Sequence, residues 1–221
     1  MEQNIPIITI DGPVASGKGS VSAGVAKVLG FNVLDSGSLY RLTAYAALKQ
    51  QKHLDDEEQI EQTAVNLKAV FNDGKILLEG EDVTDAIRQE EVGLAASKVA
   101  VHPKVRKALF KLQRDYAQAP GLVADGRDMG SVVFPEATLK IFLTASAEAR
   151  AKRRYNQLKE KGIHSNIADL VKDLKERDER DLKRSVAPLV PAPGARILDS
   201  SDLTLDETIN QVLEWYRGTE A

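Results

Sequence analysis

Apolar positions in this chain follow two periods that take turns. Short continuous apolar runs at 7–10, 31–34, 121–125, 140–143 and 195–199 read as buried strands, and the stretches between most of them repeat at helical spacing. Val21, Val25, Val28 and Leu29 form one such helical stripe, with Gly30 placed to end it, and Leu39, Leu42, Ala46 and Leu48 form a second after Asp35-Ser36-Gly37-Ser38, read as capped by a serine. Further helical residues are expected near 97–118. A last one starts at Thr204, where Glu207 completes a capping-box spacing and Leu205, Ile209, Val212, Leu213 and Tyr216 share a face on which Trp215 is expected to pack. Strands alternating with helices predict an α/β fold with a five-stranded, mostly parallel sheet flanked by helices.

One segment breaks the alternation. Residues 67–71 and 75–79 are apolar-rich and flank Asn72-Asp73-Gly74, a hairpin signal, so 60–96 is expected to be an inserted antiparallel lobe. The remaining chain then divides into core at 1–59 and 97–154, a charged helical segment at 155–185, and a final strand and helix within 186–221 after the breaker-rich Pro188, Pro191, Pro193 and Gly194.

The first turn between strand and helix carries the chemistry. Gly12, Pro13, Val14, Ala15, Ser16, Gly17, Lys18, Gly19 and Ser20 have the Gly-x4-Gly-Lys spacing of a phosphate cradle. Glycines allow the backbone close to an anion, the helix start offers unpaired N–H groups, and Lys18 adds a full charge near the β- and γ-phosphates. The chain is therefore expected to bind a nucleoside triphosphate. Gly19 occupies the position where Ser or Thr usually reaches magnesium, and the hydroxyl follows at Ser20.

Bulk composition narrows the setting. The chain has 221 residues, a formal net charge of −3 and no cysteine, which excludes disulfides, thiolate chemistry and a general field for recruiting nucleic acid or membrane. Residues 1–4 lack the profile of a secretory signal and no apolar run approaches a membrane span, so a cytoplasmic protein without nucleic-acid or membrane partners is expected. His53, His102 and His164 show no metal-ligand spacing.

Positive charge instead gathers locally. Tyr40 and Arg41 follow one strand end, and Asp125-Gly126-Arg127-Asp128-Met129-Gly130 begins at another, where ligands of open α/β sheets bind. The bland reading of the second cluster is an Arg127–Asp128 pair within a turn. Arg150, Arg153, Arg154, Arg177, Arg180 and Arg184 are mixed with acidic residues, a pattern typical of a solvated helix pair, yet Arg177, Asp181 and Arg184 share one helical face. The planar guanidinium suits bidentate phosphate contacts, and a phosphate-clamping lid follows from that choice of residue.

Taken together, these segments resemble the bacterial cytidylate kinases, a branch of the P-loop nucleoside monophosphate kinases. The resemblance rests on Gly17-Lys18-Gly19-Ser20, Leu34-Asp35-Ser36-Gly37 through Tyr40-Arg41, Ala124 through Gly130, Glu176-Arg177-Asp178 through Arg184, and Ala187-Pro188-Leu189. It departs at Ala15, near which the family has a second glycine; altered loop packing is expected there. The resemblance implies transfer of the γ-phosphoryl group of ATP to CMP or dCMP with Mg²⁺, in pyrimidine nucleotide metabolism, by a monomer whose inserted lobe binds the monophosphate. Lys18, Arg127, Arg153 and Arg184 would be the catalytic cations. Ser36, Arg41, Arg127 and Arg184 would hold the acceptor phosphate, with Tyr40 beside them. Ser97, Arg106 and Asp128 would read cytosine, and Arg177 and Asp181 would approach the sugar. Asp35 and Asp125 are both candidates for orienting the metal near Ser20. Two alternatives are a P-loop kinase for another small acceptor and a non-catalytic nucleotide-dependent switch; absence of the guanine-reading Asn-Lys-x-Asp signature lowers the latter.

Overall fold

The computed structural model describes residues 5–72, 75–160, 162–183 and 188–219. It divides the chain into two compact units, one made of Met1–Leu34 with Tyr116–Ala221 and the other of Asp35–Asp115.

The first unit is built on a five-stranded sheet. Strands β1 (Ile7–Asp11), β2 (Asn32–Asp35), β6 (Leu122–Gly126), β7 (Leu139–Thr144) and β8 (Arg196–Asp199) lie in the order β2-β6-β1-β7-β8. The central strand β1 pairs in parallel with β6 and β7, and β7 pairs in parallel with β8. All five β1 residues and all five of β6 are buried, as continuous apolar strands with both faces covered require. Helices α1 (Lys18–Leu29) and α8 (Leu205–Arg217) cover the sheet through Val21, Val25, Val212, Leu213 and Tyr216. Gly30 ends α1 with φ 69° and its N–H on the Ala26 carbonyl, and Thr204 with Glu207 forms the complete capping box of α8. Trp215 packs against this core with the Arg196 guanidinium 5.3 Å from its ring centre. Leu205, expected on the apolar face, is exposed: it is the first residue of α8, ahead of the turns that meet the sheet.

Two helices complete this unit, α6 (Ala147–Glu160) and α7 (Ile167–Leu182). They pack on each other and carry the arginine-rich region. No helix among the described residues is long and apolar enough to cross a membrane.

The second unit contains α2 (Ser36–Lys49), α3 (Glu57–Val65), strands β3 (Ala69–Asn72), β4 (Lys75–Leu78) and β5 (Glu81–Asp82), then α4 (Glu90–Val99) and α5 (Pro103–Arg114). The three strands form an antiparallel sheet, with Phe71 opposite Ile76 and Leu78 opposite Glu81. The expected hairpin is present, its Asp73-Gly74 turn lies outside the described residues, and β5 was not anticipated because two acidic residues carry no strand signal. The unit extends beyond 60–96 on both sides. Leu42 and Ala46 of α2 share one core with Ile76, Leu78, Val83, Ile87 and Val92, so the small sheet buries its face only with helices from outside that interval.

The helical residues expected near 97–118 fall in two helices, because Pro103 cannot continue α4 but fits the first turn of α5. One further expectation is corrected. The cap of α2 is Asp35, whose carboxylate accepts from the Ser38 N–H at 3.1 Å and the Ser38 hydroxyl at 2.5 Å, so the serine side chain donates to the cap rather than forming it.

Candidate active site

The phosphate loop leaves β1 through Gly12, whose φ is 155°; a Cβ there would lie 2.0 Å from the Leu143 carbonyl oxygen. Only glycine passes this point. The loop then runs over residues 12–17 into α1, and four side-chain cations hold its carbonyl oxygens. Arg127 donates to the Gly12 carbonyl at 3.2 Å, the Lys18 ammonium to Pro13 at 2.9 Å, Arg150 to Val14 at 3.2 Å and Arg153 to Ser16 at 3.0 Å. In a planar trans peptide, a carbonyl and the N–H of the following residue point to opposite sides. Carbonyls drawn toward cations therefore turn the N–H groups of Val14, Ala15 and Gly17 to the opposite side of their peptides. Pro13 lacks an N–H and forfeits none.

Each of the three arginines is itself positioned. Arg150 is buried, donates to the Ala145 carbonyl at 2.9 Å and pairs with both carboxylate oxygens of Asp178 on α7. Arg153 is held by the Ser200 carbonyl and by the Ser200 hydroxyl at 3.2 Å. Arg127 pairs with Asp181 at 2.9 Å, a carboxylate that is 1% exposed. The bland reading of the 125–130 segment thus gives way to a longer-range pair: Arg127 reaches α7 instead of its neighbour. Of the residues expected on the 177/181/184 face, Asp181 is buried and Arg177 half-buried on α7, and Arg184 lies outside the described residues.

At the end of β6, Asp125 and Asp128 are both buried. The Asp125 carboxylate stands 3.4 Å from where a Gly19 Cβ would be, so the space beside the departure from the usual motif is taken by a carboxylate. Ser20, one residue on, is exposed. A hydroxyl and a carboxylate are hard oxygen donors of the kind that magnesium takes. Asp35, the other candidate, is engaged as the cap of α2. Among the described residues no cluster of three or more His, Cys, Asp or Glu side chains could hold a metal by itself.

A residue that sequence reasoning passed over is Asp11. Its two oxygens accept the N–H groups of Met129 and Gly130, each at 2.8 Å. Burial raises its pKa to about 6, with the nearby Asp128 adding to the rise, against the lowering by these two N–H groups and Lys18. The only sequence signal was an acidic residue closing an otherwise apolar strand.

In the second unit, Ser36 is buried at the start of α2, and Arg41, on the same helix, donates to the Ile87 carbonyl at 2.9 Å and lies against Gly93. The Ser97 hydroxyl donates to the Gly93 carbonyl at 3.1 Å. Arg106 stands 5.9 Å from the centre of the Tyr40 ring and donates to Ala100 at 3.3 Å. The structure thus brings Tyr40 to Arg106, and Arg41 and Ser97 to one glycine of α4.

A parallel sheet whose central strand feeds a cation-pinned phosphate loop defines a P-loop nucleotide-binding protein. The chain belongs to the cytidylate kinase family, whose profile matches residues 8–218. It is 57% identical over 215 residues to a cytidylate kinase of Ralstonia pickettii (strain 12J), covering 97% of this chain and 93% of that protein. With a cytidylate kinase of Colwellia psychrerythraea it shares 53% over 223 residues, 99% of each. A solved structure of an uncharacterised protein from Eubacterium ventriosum is similar in fold alone, with a TM-score of 0.50, 11% identity, and coverage of 96% of this chain and 98% of that one.

Ala15, the departure from the family's loop, has φ 60°, a left-handed conformation that costs a residue with a Cβ about 1 kcal/mol. Ala15→Gly should therefore raise unfolding stability by up to about 0.5 kcal/mol in urea titrations, the relief slightly exceeding the added chain entropy. For Asp11, a folded pKa above the ordinary carboxylate value means that its contribution is fullest in acid and declines as pH rises through about 6. The difference in unfolding free energy between wild type and Asp11→Asn should move by about 2 kcal/mol in the variant's favour from about pH 4.5 to about pH 7.5. A pH-independent difference would contradict the burial of an ionisable Asp11.

Proposed function

We propose that this protein transfers the γ-phosphoryl group of ATP to CMP or dCMP, giving ADP and CDP or dCDP. Family membership over residues 8–218, joined to the cation-pinned loop, carries this reading. The acceptor is a phosphate monoester whose second pKa is about 6, so at neutral pH it is mostly a dianion and needs no general base. What it needs is charge compensation. At an effective dielectric of about 20, two phosphate groups at bonding approach repel by several kcal/mol.

The residues supply that compensation in distinct ways. Lys18, now on the Pro13 carbonyl, is a mobile point charge that can move to the β- and γ-phosphates, whereas Arg127 and Arg153 are fixed by their partners. In this reading Ser36, Arg41, Arg127 and Arg184 bind the acceptor phosphate, Arg177 and Asp181 approach the sugar, and Ser97, Arg106 and Asp128 read the base. Cytosine offers an N4 amino donor to a carboxylate, while uracil presents an acceptor at the same place. Mg²⁺ bound by the nucleotide phosphates, Ser20 and Asp125 would neutralise developing charge on the transferring group. The segment 155–185, which contains all of α7, acts as a lid that excludes water. The protein works as a cytoplasmic monomer.

ADP release from ATP with CMP, dCMP, UMP, AMP and a hydroxyl-bearing metabolite, each alone, tests the assignment. Stimulation by CMP and dCMP well above UMP is expected; a preference for the hydroxyl compound would replace the reading by a metabolite kinase. Lys18→Ala should lower turnover at least ~10²-fold while the protein stays folded. Asp128→Ala should narrow the ratio of kcat/KM for CMP to that for UMP, and an unchanged ratio would remove Asp128 from base reading.

A further inference from the structure

The pair Arg127–Asp128 is bracketed by two fixed points, both supplied by the end of β1. On one side, Asp11 is registered opposite Gly126 in the parallel β1–β6 ladder. On the other, the Asp11 carboxylate accepts the N–H groups of Met129 and Gly130 at 2.8 Å each. Those are the first two amides of a five-residue turn, Met129–Val133, whose later amides at Val132 and Val133 return to the Asp128 carbonyl at 2.9 and 3.2 Å. Helical turns leave their first amides without partners, and a side chain normally caps them from just upstream. Here the cap comes from 118 residues away in the chain.

We infer that Asp11 is a positioning residue for acceptor selectivity: by fixing the peptide planes on either side of Met129 it sets the direction of the Asp128 side chain. This rests on Asp128 reading the acceptor base, as proposed above. Two N–H groups on one carboxylate determine the orientation of both peptides, so the backbone that carries the Asp128 Cβ has little freedom left. Asparagine keeps the shape but has one acceptor oxygen, and its amide nitrogen would face an N–H of the turn donor to donor. One of the two bonds is lost, and the bracket that holds the backbone after Asp128 loosens. The inserted carboxylate also costs burial, which a merely structural link between strand and turn would avoid by using an uncharged acceptor.

The experiment measures kcat/KM for CMP and for UMP, together with the KM for ATP, in wild type, Asp11→Asn, Asp128→Ala and the double variant. Wild type comes first: without a preference for CMP, the base-reading assignment fails independently of Asp11. Given that preference, Asp11→Asn should lower the CMP-to-UMP ratio about tenfold, the effect of losing one buried charge-assisted hydrogen bond, with ATP KM changed less than about twofold. In the Asp128→Ala background the same substitution should leave the ratio where Asp128→Ala put it. A folded Asp11→Asn enzyme with the wild-type ratio overturns the inference, as does an additive loss in the double variant. If Asp11→Asn shows no cooperative unfolding transition, Asp11→Ser, which keeps one small acceptor, is read by the same ratio.

Discussion

The structure depends on carbonyl oxygens being drawn to cations along the phosphate loop. An anion site made of backbone N–H groups requires that the other half of each peptide be satisfied elsewhere, and in a tight loop neither helix nor sheet can do it. Arg127, Lys18, Arg150 and Arg153 do so here, one for each of the carbonyls of Gly12, Pro13, Val14 and Ser16. These cations fix which way the peptides face, and they also place positive charge around a site that will receive a polyanion. Such dual use explains how a chain with net charge −3 can bind nucleotides without a basic surface.

The same cations link the loop to the arginine-rich helices. Arg150 joins the Val14 carbonyl to Asp178, and Arg127 joins the Gly12 carbonyl to Asp181, so α7 is tied through partly buried ion pairs to both ends of one short loop segment. Removing one partner of such a pair leaves a buried charge alone, which is costlier than the pair is stabilising. In the proposed reaction, the arginines are therefore held ready by carboxylates in the absence of nucleotide, and phosphate oxygens compete for them.

Much of this was legible in the sequence because the relevant signals are local. The strand runs, the Gly-Lys spacing, the Gly30 stop and the Thr204–Glu207 capping box each depend on a few adjacent residues, and each appears as read. What was missed depends on distant partners. Nothing near Asp11 shows that its carboxylate meets Met129 and Gly130, and Arg127 sits beside Asp128 in the chain while pairing with Asp181. The limits of the second unit were misjudged for a similar reason: a hairpin is visible locally, but the helices that bury its face are not. At Ala15 the sequence showed a departure from the family without its consequence, and the backbone supplies it as a left-handed alanine.

The most direct measurement of the central claim follows backbone amide resonances of residues 14–20 in isotope-labelled protein as a non-hydrolysable ATP analogue is added. Amides aimed at phosphate oxygens by cation-held carbonyls should move strongly downfield and saturate together, more than those of any other segment in the first unit. Saturation of the protein with the analogue while these amides stay in place would show that the loop does not bind phosphate through its backbone, and the account would fail.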